Sequence, residues 1–272
     1  MAKNTLPIGV FDSGVGGLTV LKALQNQLPH ESFIYLGDTA RLPYGTKSPE
    51  TIARYAQQAS EILVQRGIKL LVVACNTAST VALPLLQEQF KNIPVVGVIE
   101  AGAKAACAQS KNEHIVVIAT EATIQGQAYQ RAIKALVPQA KVLTQSCGLF
   151  VALAEEGWLA GKEAESIATR YLKPLFENAD HPDCLVLGCT HFPVLLPAIR
   201  AVVGDKVVIV DSAQTTAELV KEILQKNNLL SESAIAKTRF LVTDAPQRFI
   251  RVAPNFLAKA LKNEEVELVD II

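Results

Sequence analysis

The sequence predicts an α/β protein of the doubly wound class, and three observations predict it. Short β-like runs alternate with amphipathic stretches of helical length along the chain. The runs are apolar throughout instead of alternating, as in Leu70-Leu-Val-Val-Ala74, which suits parallel strands covered on both faces. One pattern also occurs in each half: Leu71-Val-Val-Ala-Cys75-Asn76-Thr77 and Leu185-Val-Leu-Gly-Cys189-Thr190-His191. In both, a buried strand ends on a small residue, then a cysteine, then two polar side chains. Two half-molecules, each with a thiol at the carboxyl end of a strand, account for that echo, and strand carboxyl ends are where open α/β sheets bind ligands.

The elements follow in order. Ile8–Phe11 reads as a strand before a helix over Leu18–Leu28, and Ser32–Gly37 as a strand before a helix over Pro49–Arg66. Leu70–Ala74 is a strand, Thr80–Phe90 a helix, and Val95–Ile99 the next strand. The second half reads as strand His114–Ala119, a helix to Leu136, strand Lys141–Gln145, helices around Phe150–Glu156 and Glu163–Phe176, and strand Cys184–Gly188. After strand Val207–Val210, a helix runs from Ser212, read as its N-cap, to about Leu224.

Composition narrows the function. With 272 residues, half of them hydrophobic and 19% charged, the chain has material for a large core and is not expected to be disordered. Basic and acidic residues balance at 26 each, so no charge excess advertises nucleic acid or an anionic membrane, and a small-molecule partner is expected. The first apolar stretch, Ile8–Phe11, is too short for a signal-peptide core, and no apolar run approaches the roughly 20 residues of a membrane span. A cytoplasmic location is expected. The five cysteines (75, 107, 147, 184 and 189) form no Cys-x-x-Cys pair and are expected to be reduced.

Cys75 and Cys189 are the main candidates for chemistry. A thiol that follows a strand and opens a helix feels the positive helix end, and thiolates act as bases as well as nucleophiles. Asn76, Thr77, Thr190 and His191 add polar groups beside them, whereas a cysteine that only fills space needs no such neighbours. Cys184 points to the opposite face by parity and reads as core. Cys75, Cys189 and His191 could supply three zinc ligands, but there is no close cysteine pair, no His-x-x-x-His and only four histidines, so no metal is expected. Asp12-Ser13-Gly14-Val-Gly16-Gly17 partly matches a dinucleotide fingerprint but lacks its third glycine. A carboxylate-binding loop, or a tight turn needing positive φ, fits equally. Asp38-Thr-Ala-Arg-Leu-Pro43-Tyr44-Gly45 reads as a loop whose tyrosine can line a pocket, and Ala119-Thr-Glu-Ala-Thr123 as a strand end that supplies hydroxyls. Glu155-Glu-Gly-Trp158 closes a helix.

Together Asp12-Ser-Gly-Val-Gly-Gly-Leu18, Asp38-Thr-Ala-Arg-Leu-Pro-Tyr-Gly45, Ala74-Cys-Asn-Thr-Ala-Ser79 and Leu187-Gly-Cys-Thr-His-Phe-Pro193 resemble glutamate racemase, within the aspartate/glutamate racemase superfamily. The motifs come in that family's order and the likeness runs nearly end to end. The resemblance implies cofactor-independent interconversion of L- and D-glutamate, which supplies the D-isomer for peptidoglycan. One cysteine, as thiolate, takes the α-proton and the other, as thiol, returns one to the opposite face. Two thiols are needed because a single base returns the proton to the side it came from.

The resemblance assigns catalysis to Cys75 and Cys189, with Asp12 assisting the first and Glu155 and His191 the second. It places Asn76, Thr77 and Thr190 at the α-carboxylate and amino group, and Ser13, Tyr44 and Gly45 toward the side-chain carboxylate, with Pro43 also among the substrate-binding residues. Asp12 and His191 also count among the substrate-binding residues, and Thr123 belongs to the pocket wall. Two departures stand out: Ala119-Thr120 replaces the family's frequent Gly-Thr, and Cys147-Gly148 its common Cys-Pro. A homodimer is also implied.

The expected architecture is two similar, pseudo-twofold-related domains with the active site in the cleft between them. Residues 1–98 with 211–272 form the first and 99–210 the second. Three rivals are kept: a racemase for aspartate or another acidic amino acid, a Cys189–His191 thiol hydrolase that has no need of Cys75, and a nucleotide-binding module using Gly14–Gly17.

Overall fold

Runs of β-branched and leucine residues form two wholly parallel sheets in the computed structural model, which describes residues 3–177 and 181–271. The chain begins with strand β1 (Ile8–Asp12), helix α1 (Leu18–Gln27), β2 (Phe33–Gly37), α2 (Pro49–Gln65), β3 (Leu70–Val73), α3 (Asn76–Gln89), β4 (Val95–Gly97) and α4 (Ile99–Gln109). It continues through β5 (His114–Ala119), α5 (Glu121–Gln125), α6 (Ala128–Leu136), β6 (Lys141–Ser146), α7 (Gly148–Glu156), α8 (Lys162–Phe176), β7 (Cys184–Gly188), α9 (Leu196–Val203) and β8 (Val208–Asp211). Then come α10 (Ser212–Lys226), β9 (Thr238–Val242), α11 (Pro246–Val252), α12 (Pro254–Leu257) and β10 (Val266–Leu268).

The sheet orders are β10-β9-β2-β1-β3-β4 and β6-β5-β7-β8. Without β9 and β10, the two sheets have the same order, each with its second strand at one edge and its third and fourth at the other. Cys75 follows β3 and Cys189 follows β7, which are equivalent strands. The echo in the sequence is thus an echo in topology.

Central strands β1, β3 and β7 are buried along their full length, as their unbroken apolar runs require. Alternation still sorts their side chains: Leu70 and Val72 feed the core between the two sheets, Leu71 and Val73 the core under α2 and α3. β6, an edge strand, carries Lys141, Thr144 and Gln145 and is only partly covered. α10 packs on both α1 and α4 and so joins the halves.

Local rules explain the helix starts. Ser48 caps α2, with Pro49 at its first position and Glu50 in its first turn. The α10 cap is Asp211, whose carboxylate accepts from the Ala213 N–H at 2.8 Å, and Ser212 is the first helical residue, one position off the expectation. The helix expected to run to Leu136 is broken at Gln127, which has φ 53°, into α5 and α6. Among the described residues no helix is long and apolar enough to cross a membrane.

Candidate active site

The carboxyl ends of both sheets open on one cavity of about 360 Å³. Cys75 and Cys189 are on its wall, one from each half, with Ser13, Pro43, Tyr44, Gly45, Asn76, Thr77, Glu155, Thr190 and His191. Asp12 and Thr123 are not on the wall. Each is buried one layer behind it.

Cys75 is the N-cap of α3: its sulfur accepts the Ala78 N–H at 3.4 Å, and its thiol donates to Ser13 Oγ at 3.5 Å. The thiol is therefore fixed at a helix N-terminus. Burial and then the Asp12 charge push it up to about 12 all the same, so at neutral pH Cys75 is an S–H donor. Burial raises Asp12 as well, with His191 and the N–H groups of Gly17, Gly14 and Ser13 pulling the other way. Gly14 N–H donates to Asp12 Oδ2 at 3.0 Å, whereas the other oxygen, Oδ1, is buried with no hydrogen-bond partner in the chain. Asn76 is similar: its Oδ1 accepts the Tyr129 hydroxyl at 2.8 Å, and its buried Nδ2 has no partner. Of these two residues only Asn76 is on the cavity wall, where an unpaired donor can meet a polar ligand.

Around Cys189 the chemistry differs. His191 Nδ1 is 3.8 Å from the Cys189 sulfur, and Nε2 pairs with Glu155 Oε1 at 3.0 Å. Glu155 Oε2 accepts from Arg248 at 2.8 Å. Burial works against the imidazolium, but the hydrogen bonds and charges of Cys189 and Glu155 outweigh it and hold His191 up to about 10. Burial also opposes the Glu155 charge, and His191 and Arg248 overcome it, bringing the carboxyl down to about 2. Gly157 ends α7 at φ 77°, the left-handed conformation that favours glycine, and so fixes where the helix carrying Glu155 stops.

A pH effect on stability follows. A raised histidine stabilises the fold fully below its ordinary 6.5 and ceases to do so as pH rises through about 10. The depressed Glu155 stabilises above 4.5 and ceases to do so as pH falls through about 2. The melting temperature of the unsubstituted protein should exceed that of His191→Gln most between pH 4.5 and 6.5. The gap should shrink as pH approaches 10; one that stays constant from pH 6 to 10 contradicts the His191–Glu155 pairing.

The glycines of the loop after β1 are not there for a positive φ. A Cβ on Gly16 would be 2.4 Å from His191 Nδ1 and 2.5 Å from Thr190 Oγ1. The positive-φ glycines are Gly67, Gly157, Gly161 and Gly204, none of them in this loop. The requirement is contact between the halves, reinforced by Thr19 Oγ1, which donates to the Thr190 carbonyl at 3.0 Å.

Tyr44 is on the wall, and its hydroxyl is hydrogen-bonded to the fully buried Asp38. Asp38 also holds Arg41 at 2.7 Å and Thr243 at 2.9 Å, so it fixes the Pro43–Gly45 loop. Thr120 joins Thr77 and Thr123 in a triangle of hydroxyls at 2.9–3.1 Å that links the two halves. Asp38, Thr120, Tyr129 and Arg248 were not singled out from the sequence. The first two lie inside the motifs quoted above, and nothing local marks the others. Among the described residues no group of three or more His, Cys, Asp or Glu could hold a metal ion.

Fold and cavity define a two-lobed, parallel-sheet α/β protein with a thiol from each lobe on the wall of one shared cavity. The model of the Asp/Glu/hydantoin racemase family matches residues 8–220. A glutamate racemase of Geobacter metallireducens is 52% identical over 255 residues, 93% of each chain, and one of Syntrophus aciditrophicus 46% identical over 260 residues, 95% of each. Among solved structures, glutamate racemase from Francisella tularensis in complex with D-glutamate superposes with a TM-score of 0.92, at 38% identity and over 98% of each chain. This chain belongs to the Asp/Glu/hydantoin racemase family.

Proposed function

We propose that this chain interconverts L- and D-glutamate, with Cys75 and Cys189 as the two acid–base groups. The observation that supports this most is the presence of two thiols, from equivalent strand ends, on one cavity wall. In one direction a thiolate accepts the α-proton from one face, leaving a carbanion whose charge spreads into the α-carboxylate. The opposite thiol then protonates the other face and becomes the thiolate, so the two cysteines exchange roles in each turnover. Fixed donors that meet the developing charge lower the barrier without reorganising. Asn76 Nδ2, buried and unpaired, is one such donor, with Thr77 and Thr190 beside it.

Ser13 and the Pro43–Gly45 loop receive the side-chain carboxylate, and Thr123 backs the wall through Thr77. Asp12 serves Cys75, and Glu155 and His191 serve Cys189. The strand memberships support a first domain of residues 1–98 with 211–272 and a second of 99–210, apart from Asp211, which ends β8 of the second sheet. D-Glutamate for peptidoglycan, made in the cytoplasm by a homodimer, completes the proposal.

The test is racemisation in D₂O. Each glutamate enantiomer should invert and gain one deuterium at Cα, with little deuterium in unreacted substrate, because the incoming proton comes from the second thiol. L-Aspartate should turn over far more slowly. Faster turnover of aspartate would move the substrate assignment, and inversion without deuterium uptake would rule out the two-thiol scheme.

A further inference from the structure

The segment from Thr243 to Leu257 touches both half-sites. Thr243 Oγ1 donates to Asp38 Oδ1, the other oxygen of which holds the Tyr44 hydroxyl. Asp244 is tied to Thr39 by hydrogen bonds of 2.6 and 2.9 Å. One turn into α11, Arg248 reaches across to Glu155 of the other half at 2.8 Å. Phe256, in α12, sets its ring edge-on to His191 with centroids 5.2 Å apart. The segment follows β9 of the first sheet, whereas Glu155, His191 and Cys189 belong to elements of the second.

We propose that Arg248 is a positioning residue for proton transfer at Cys189. It holds Oε2 of Glu155, which keeps Oε1 on His191 Nε2 and the imidazole Nδ1 facing the Cys189 sulfur. A carboxylate anchored at one oxygen cannot rotate its other oxygen away from the histidine. The anchor comes from the opposite half, so the relay is complete only while the two halves stay in register. Cys75, whose sulfur is set by Ser13 and the α3 N-terminus, has no such dependence. This role rests on the racemase reading above.

Rates alone cannot show which thiol is affected. The two enantiomers are equal in free energy, so kcat/KM must fall by the same factor in both directions. Isotope effects do separate the thiols. When transfer at Cys189 slows, the primary deuterium effect rises for the enantiomer that Cys189 deprotonates and falls for the other. Full-length Arg248→Ala is expected to lose up to about 100-fold in kcat/KM, the cost of a small misplacement at the reacting centre. Its isotope effects with α-deuterated L- and D-glutamate should shift in opposite senses. Arg248→Lys, a point charge without the planar fork, should recover part of both. Arg251→Ala, on the same helix, should match the unsubstituted enzyme.

An unchanged rate, or a slower rate with both isotope effects unmoved, overturns the proposal. If Arg248→Ala does not accumulate as folded protein, Arg248→Lys carries the same readout. If the unsubstituted enzyme fails to racemise glutamate, the functional reading fails and this role fails with it.

Discussion

Cys75→Ser and Cys189→Ser are each expected to lower racemisation by about 10²–10⁴-fold in both directions, the range that a positioned acid or base contributes. A hydroxyl is a far weaker acid than a thiol and its conjugate base far less available. Each substitution therefore removes one of the two proton carriers while changing little else. The fold should survive, because serine is a good N-cap and can accept the Ala78 N–H that Cys75 now accepts. Because the thiols act in series on one carbon, the double variant should be scarcely slower than either single one, the non-additivity of groups that act as a unit. Circular dichroism of glutamate solutions with each variant gives the measurement. A thiol hydrolase working through Cys189 and His191 would keep its turnover in Cys75→Ser, so retained activity in that variant alone removes the two-base scheme.

The sequence made the central strands legible because burial on both faces leaves them no freedom of composition. Leu70–Val73 and Cys184–Gly188 can be nothing but interior. The helix Ile99–Gln109, rich in alanine, and strands β9 and β10 were not foreseen. β9 reads Thr-Arg-Phe-Leu-Val, with a charge at its second position, and β10 is a three-residue edge strand with an exposed glutamate and leucine. Such strands are defined by the partner they extend, which composition does not reveal. The site divides in the same way. Residues adjacent to a cysteine in sequence were found because the turn that presents the thiol presents them too. Arg248 lies 93 positions from Glu155 and resembles any solvated arginine on a surface helix. Tyr129, buried behind Asn76, looks like ordinary core. Cooperation between distant segments is a property of the fold, and only coordinates show it.

Lys69→Met should cost about 3–5 kcal/mol, because removing one partner of a buried ion pair leaves the other charged and unsolvated. Lys69 and Glu31 pair at 2.5 Å with both side chains almost wholly out of solvent, and burial pulls the lysine below its usual range against the opposing pull of Glu31. The same ammonium donates to the carbonyls of Asn4 at 2.7 Å and Leu229 at 2.8 Å, and Glu31 accepts the Ser231 N–H at 2.8 Å. One ion pair thus fastens the N-terminal segment, the α1–β2 turn, the start of β3 and the crossover after α10. Lys69→Met with Glu31→Leu removes both charges and should recover part of the loss. It still strands the three backbone groups, each worth about 1–3 kcal/mol when buried unpaired. Urea unfolding of the single and double variants measures both effects, and a single variant within 1 kcal/mol of the parent would show that the pair is not what holds these segments. Lys69 and Cys75 flank opposite ends of β3, six residues and about 20 Å apart at the rise of a strand. Folded Lys69→Met should therefore racemise at the parent rate. The end of the strand that fastens the fold and the end that presents the thiol are separable by experiment.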